Sequence, residues 1–412
     1  MPQTTETFVI VGASLAGAKA AETLRAEGFD GRVVLIGDET RRPYERPPLS
    51  KEYLRSEKDF DAAAVHPSGF YDEHDIELRT SRLVTGVDPK EKSVTLASGE
   101  QIGYDRLLLA TGATPRRLSV PGADLEEVRY LRSVEDADRL RQVITPSAQV
   151  VVIGAGWIGA EVAASARQLG AGVAMVELAA VPLERALGPE VGAVYRDLHQ
   201  SHGVDLHLGV GVKAILGSKT VEAIQLSDGI VLPASVVVVG IGVAPRVELA
   251  EAAGLAVDDG IVVDEHLQTS VPDIFAAGDV ANAFYPRYGN RIRLEHWSAA
   301  LNQGPAAARA MLGQQVSYDH TPYFFSDQYD LGMEYRGWAP DFDEVVFRGN
   351  PAAGEFLCFW LRDGRVRAAM NSNVWDASDA IERLLRTDRP IDPARLADTE
   401  AQLAGLTDPT GT

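Results

Sequence analysis

Cysteine is nearly absent: among 412 residues there is one, Cys358. A single thiol excludes an internal disulfide, a four-cysteine zinc site, an iron–sulfur cluster ligated by the chain itself and an internal redox dithiol. It is compatible with a reducing compartment. Excess positive charge is missing too. The chain carries 39 basic against 59 acidic residues, a formal net charge of −20. Such a chain is repelled by phosphate backbones, so nucleic acid is not expected as a partner. No apolar run approaches the ~20 residues of a membrane span. Met1 to Thr7 is polar and lacks the basic-then-apolar layout of a secretory signal. The expectation is a cytoplasmic protein with no membrane association. At roughly 100–200 residues per domain, the length suggests two or three domains.

What is present is a repeated nucleotide-binding pattern. Phe8 to Arg25 reads FVIVGASLAGAKAAETLR. A short apolar run suited to a parallel strand covered on both faces meets a turn, and small apolar residues then continue at helical spacing. Gly12, Ser14 and Gly17 form a dinucleotide fingerprint with serine at the second glycine. A second strand, Arg32 to Gly37, leads to Asp38, 21 residues past Gly17. That is the place of an acid that takes the adenosine ribose hydroxyls. The arrangement recurs in Gln149 to Glu177, where Gly154, Gly156 and Gly159 give an unbroken GxGxxG between strand and helix. Glu177 stands 18 residues past the last glycine. An acid there accepts two ribose hydroxyls and repels a 2′-phosphate, which favours NADH over NADPH. No arginine follows it directly; the nearest is Arg185. Two such units mean two dinucleotides, and the economical chemistry is hydride transfer from a nicotinamide to a flavin.

Further segments carry a family resemblance: YDRLLLATGATP (Tyr104–Pro115), VVVVGIGVAP (Val236–Pro245), DIFAAGDVA (Asp273–Ala281), RPYERPPLSKEYL (Arg42–Leu54) and YFFSDQYDLGM (Tyr323–Met333). In this order and spacing the chain resembles the FAD-dependent, NADH-using ferredoxin reductases of bacterial oxygenase systems, of the putidaredoxin reductase and biphenyl dioxygenase ferredoxin reductase type. The resemblance implies an α/β, glutathione-reductase-like fold with two Rossmann-type domains plus a carboxy-terminal α+β domain. A discontinuous FAD domain would comprise residues 1–113 and 245–319, an NAD domain 114–244 and a carboxy-terminal domain 320–412.

It also implies site residues. Lys51, the lysine of PPLSK, would lie near the flavin ring, where a cation stabilises reduced, anionic flavin. Glu161 would stand at the nicotinamide–flavin junction, able to pair with Lys51 and orient the NADH carboxamide. Ala16 and Val84 would bring backbone to the FAD, Arg132 a guanidinium to its pyrophosphate, and Asp279 a carboxylate to its ribityl and pyrophosphate region. Trp297 would lie against the isoalloxazine ring and shield it from oxygen. Related peroxidases and oxidases place a redox cysteine near Lys51; here Ser50-Lys51 excludes sulfenate chemistry. His296, Cys358 and the aromatics Tyr323, Phe324, Phe325 and Tyr329 read as packing residues.

The acceptor implied is a two-iron two-sulfur ferredoxin, which takes electrons singly while NADH gives two at once; a flavin mediates between them. Such ferredoxins are acidic, so a local basic patch is expected against the −20 of the chain. Arg41, Arg42 and Arg46, and Arg287, Arg291 and Arg293, are the candidates. A rubredoxin acceptor, an NADH oxidase, and a redox-sensing interaction protein like apoptosis-inducing factor are the alternatives on this fold.

Overall fold

The computed structural model describes residues 6–407. The polar amino-terminal stretch therefore lies largely outside the described residues, as does the end of the expected carboxy-terminal tail. Before that end, Pro393–Ala397 is helical and Leu403–Thr407 forms a 3-10 turn. The chain divides into two compact units. The first holds residues up to Pro47, Asp59–Thr114 and Val243–His320; the second holds Pro48–Lys58, Pro115–Gly242 and the chain from Thr321 onward. The domain expectation counted Pro48–Lys58 with its sequence neighbours. Contacts of Ser50 and Lys51, described below, are what tie it to the second unit.

In the first unit, Val- and Ile-rich runs form a five-stranded parallel sheet. Its order is Ile274–Ala276, Arg106–Leu109, Thr7–Val11, Arg32–Ile36 and Ile76–Arg79. Val9, Ile10, Val33 to Leu35 and Leu107 to Leu109 are fully buried, as apolar strands covered on both faces must be. The fingerprint helix, Leu15–Ala26, packs on helix Trp297–Met311 through small residues. A Cβ added at Gly304 would fall 2.3 Å from the Ala16 carbonyl oxygen, so this crossing depends on glycine.

The second unit repeats the theme. Its parallel sheet runs Asp205–Leu208, Gly172–Glu177, Gln149–Ile153, Val236–Val239 and Val128–Arg129. The second fingerprint helix, Trp157–Gln168, follows Gln149–Ile153 directly. Beyond Thr321 comes a five-stranded antiparallel sheet in the order Tyr323–Gln328, Leu331–Gly337, Arg365–Ser372, Glu355–Arg362 and Glu344–Asn350. One face of it packs against helix Glu184–Ser201 in a core that includes Tyr195, Phe356, Cys358 and Trp360. That helix bends at Gly188, where φ is +83°, ahead of Pro189. The kink leaves the Leu187 carbonyl to accept from Trp360 Nε1 at 2.9 Å. Two Rossmann-type sheets and a terminal α+β region make up the architecture expected from the sequence.

Candidate functional site

The first glycine turn lies at the carboxyl end of Thr7–Val11. Gly12 has φ +121°, and a Cβ there would sit 2.0 Å from the Ala110 carbonyl oxygen. Ser14 caps the helix in extended backbone, with no side-chain cap bond. The amides of the first turn thus keep the unsatisfied donors of any helix start, the feature that binds a pyrophosphate. Ala16 is buried, 3.3 Å from a Cβ built on Gly278, so Asp279 comes to this end of the unit. Asp279 acts electrostatically on Arg46 and on His296. Burial pushes the His296 pKa down to about 4 against the pull of Asp279, leaving a neutral imidazole. Trp297 places its indole beside Glu45, steadying a carboxylate that burial pushes upward. Asp38 is half exposed and accepts from Arg246 at 2.9 Å. Val84 is buried at the start of a hairpin strand, opposite Leu96.

The second turn is tighter. Gly154 has φ +95° and a Cβ there would meet the Gly240 carbonyl at 2.4 Å; one at Gly159 would meet the Gly154 carbonyl at 2.0 Å. At Gly156, the N-cap of the helix, a Cβ would meet nothing within 4 Å. Space is therefore left open in front of the helix start, where a phosphate is held by backbone N–H groups. Glu177 ends the neighbouring strand. Its carboxylate accepts from the Ala155 amide at 2.6 Å and the Ala179 amide at 2.9 Å. Of roughly four lone-pair sites on a carboxylate, two remain for ribose hydroxyls. Leu178, beside it, is 77% exposed, an apolar surface that a base could cover.

Lys51 and Glu161, 110 residues apart, meet in the second unit. Each is 4% exposed, and Lys51 Nζ lies 3.1 Å from Glu161 Oε2. Ser50 donates to the same oxygen at 2.5 Å, and Ser326 donates to Oε1 at 2.7 Å. Phe325 lies under the ammonium, 5.4 Å from ring centre to Nζ. Ser165 Oγ donates to the Ser50 carbonyl at 2.6 Å and Arg55 donates to Ser165, so the loop is clamped to the helix bearing Glu161. A buried pair in this state holds only because each charge is hydrogen-bonded. Ser326 and Ser165 were not among the residues expected from the sequence.

Arg132 lies in the second unit beside the Ser133 cap of helix Val134–Val143, its amide donating to Asp136. Four of the six arginine candidates carry ion pairs. Arg42 is paired with Asp61, Arg46 with Glu39, Arg287 with Asp319, and Arg293 with both Asp259 and Glu295. Their charges are largely offset. Arg41 and Arg291 lie over Phe60 and Phe284 on the surface. Tyr323, Phe324, Phe325 and Tyr329 are only partly buried, and of these Phe325 serves the Lys51 site rather than a core. Among the described residues there is no cluster suited to a metal ion and no helix long and apolar enough to cross a membrane.

The donor sets thus fit two dinucleotides: two glycine cradles at helix starts, each with an acid on the adjoining strand end, and a buried Lys–Glu pair whose glutamate stands five residues past Gly156. This is the layout of an oxidoreductase that works on dinucleotides. Residues 6–304 match the family described as pyridine nucleotide-disulphide oxidoreductase, and residues 323–407 match the reductase C-terminal family. The chain belongs to the pyridine nucleotide-disulphide oxidoreductase family. It is 39% identical to rhodocoxin reductase of Rhodococcus erythropolis over 96% of this chain and 93% of that protein. Its fold superposes on the ferredoxin reductase for the CYP199A2 system from Rhodopseudomonas palustris with TM-score 0.94 and 39% identity, covering 98% of this chain and 100% of that one. The reductase in the covalent putidaredoxin reductase–putidaredoxin complex gives TM-score 0.94 and 37% identity, covering 97% and 98%.

Proposed function

We propose that this protein is an FAD-dependent NADH:ferredoxin reductase of the cytoplasm, supplying a two-iron two-sulfur ferredoxin that feeds a haem monooxygenase or a ring-hydroxylating dioxygenase. The observation that carries the reading is where the thiol is not. The family is named for disulphide chemistry, yet Ser50 adjoins Lys51 and the one cysteine is fully buried in the carboxy-terminal sheet. With no dithiol, electrons taken from NADH must leave to an external acceptor. The balance is NADH plus two oxidised ferredoxins giving NAD+, two reduced ferredoxins and a proton. The relatives named above support the acceptor class.

On this reading residues 1–113 and 245–319 hold FAD, 114–244 hold NADH and 320–412 complete the molecule. Bound FAD would supply the conversion between two-electron and one-electron transfer. The first turn would cradle its pyrophosphate, with Asp38 on the ribose, Ala16 and Val84 close by backbone, and Asp279 and Trp297 toward the ring. Gly154, Gly156 and Gly159 would hold the NADH pyrophosphate and Glu177 its ribose. Glu161 would accept from the carboxamide, and the Lys51 ammonium would favour the reduced, anionic ring.

The deciding experiment is NADH-driven cytochrome c reduction by the purified yellow protein, with and without added two-iron ferredoxins. A large ferredoxin-dependent rate is expected. Oxygen consumption with peroxide formation, unchanged by any ferredoxin tried, would make the protein an oxidase. Because Arg291 is exposed while its neighbours Arg287 and Arg293 are ion-paired, Arg291→Glu should raise the KM for ferredoxin several-fold and leave ferricyanide reduction unchanged. Unaltered ferredoxin kinetics would remove Arg291 from the docking surface.

A further inference from the structure

Behind Glu161 a line of polar side chains runs through the second unit. Ser326 and Gln328 stand two residues apart on the buried face of strand Tyr323–Gln328, each 1% exposed. Gln328 Nε2 lies 3.3 Å from Ser326 Oγ. Gln328 Oε1 lies 2.9 Å from Nε2 of His199, a residue with no exposed surface on helix Glu184–Ser201. His199 Nδ1 lies 3.2 Å from the Tyr329 hydroxyl, and Tyr329 stacks on His202 with ring centres 3.7 Å apart.

The direction of every hydrogen bond in this line is forced from one end. The Glu161 carboxylate, paired with Lys51, can only accept, so the single Ser326 proton points at it. Ser326 Oγ must then accept from Gln328, which turns the Gln328 amide nitrogen toward it and the carbonyl toward His199. His199 must carry its proton on Nε2, and its Nδ1 must accept from Tyr329. Burial lowers the His199 pKa to about 4, with the Gln328 hydrogen bond opposing, so the ring is neutral at pH 7 and has one tautomer to choose. We propose that Tyr329, His199, Gln328 and Ser326 form a one-way donor chain that orients the Glu161 carboxylate, making His199 and Gln328 positioning residues for the site.

The chain makes an unusual forecast. In Glu161→Gln the ammonium of Lys51 is still a donor only, so the new amide must turn its oxygen to Lys51 and Ser50 and its NH2 to Ser326. Ser326 then accepts and its proton points to Gln328; Gln328 turns over, and the His199 proton moves to Nδ1. One substitution switches a tautomer three hydrogen bonds away.

The test is a long-range proton–nitrogen correlation spectrum of the flavin-bound protein labelled with 15N-histidine, the His199 signal being assigned by its loss in His199→Asn. The expected result is an Nε2–H ring in the native protein, an Nδ1–H ring in Glu161→Gln, and no such switch when Ser326→Ala is added. An Nδ1–H ring in the native protein, an unswitched ring in Glu161→Gln, or a switch that survives Ser326→Ala would each overturn the proposal. A kinetic arm rests on the reading of Glu161 as the residue facing the carboxamide. Gln328→Leu should raise the KM for NADH three- to tenfold, with kcat for ferricyanide within twofold. If Glu161→Gln moves that KM and Gln328→Leu does not, the positioning role fails. If neither moves it while the tautomer switches, the chain stands and the carboxamide reading falls.

Discussion

Two glycines three residues apart in the second turn carry opposite demands. At Gly159 an added methyl would collide with a backbone oxygen 2.0 Å away, whereas at Gly156 it would enter open space. Gly159→Ala should therefore destabilise the unit by ~2 kcal/mol or more, since the backbone must move. Gly156→Ala should keep the native melting temperature and raise the KM for NADH at least tenfold, by filling the space a phosphate would use. Equal melting losses in the two variants would contradict this. Glu177 is held by two backbone amides, so Glu177→Ala should lower the NADH:NADPH ratio of kcat/KM about tenfold and also loosen the turn. An unaltered ratio would place cofactor choice elsewhere. These residues were legible in the sequence because strand, turn, helix and acid lie within thirty residues and each follows from local chemistry. Ser14 shows the tolerance of the pattern: it occupies the second glycine position and still caps the helix.

Elements that come from distant parts of the chain were less legible. Helix Glu184–Ser201 contains Gly188-Pro189, which announces a break, but nothing in sequence tells that Trp360 will take up the exposed carbonyl of Leu187. Trp360→Phe keeps the apolar bulk and strands that carbonyl in the core. A loss of about 1–3 kcal/mol is expected in urea unfolding, and no loss would mean the carbonyl finds another donor. The Lys51–Glu161 pair was available only through resemblance, because 110 residues separate its members. Ser326, Gln328 and His199 went unassigned, although one signal was visible: two polar residues in alternation on an otherwise apolar-facing strand. Alternation places Ser326 and Gln328 on one face, and burial of that face is decided by helices over a hundred residues away. The ion pairs of Arg42, Arg46, Arg287 and Arg293 were illegible for the same reason, since their acidic partners are set by loop packing.

On the scale of the molecule, acid should be a sensitive stress. The folded chain keeps His199 and His296 neutral down to about pH 4, while in the unfolded chain each takes a proton near the ordinary value of 6.5. The unfolded state thus binds more protons below pH 6.5, and stability present above that pH is lost as the pH falls. About 2 kcal/mol per histidine should disappear between pH 7 and pH 5. Glu45, whose carboxyl is pushed upward, works in the opposite sense and softens the loss. His296→Gln should remove about half of the decline that His199 and His296 contribute to the unfolding free energy; an unchanged slope would assign it to other groups. The scarcity of cysteine has a practical side as well. Cys358 has no exposed surface, and burial holds its thiol well above its ordinary pKa, so alkylating reagents should pass the native protein by. A cysteine introduced at any exposed position becomes the sole reactive thiol of the folded chain. Spin labels, fluorophores or cross-linkers could then be placed one at a time around the surface without engineering a background free of sulfhydryls.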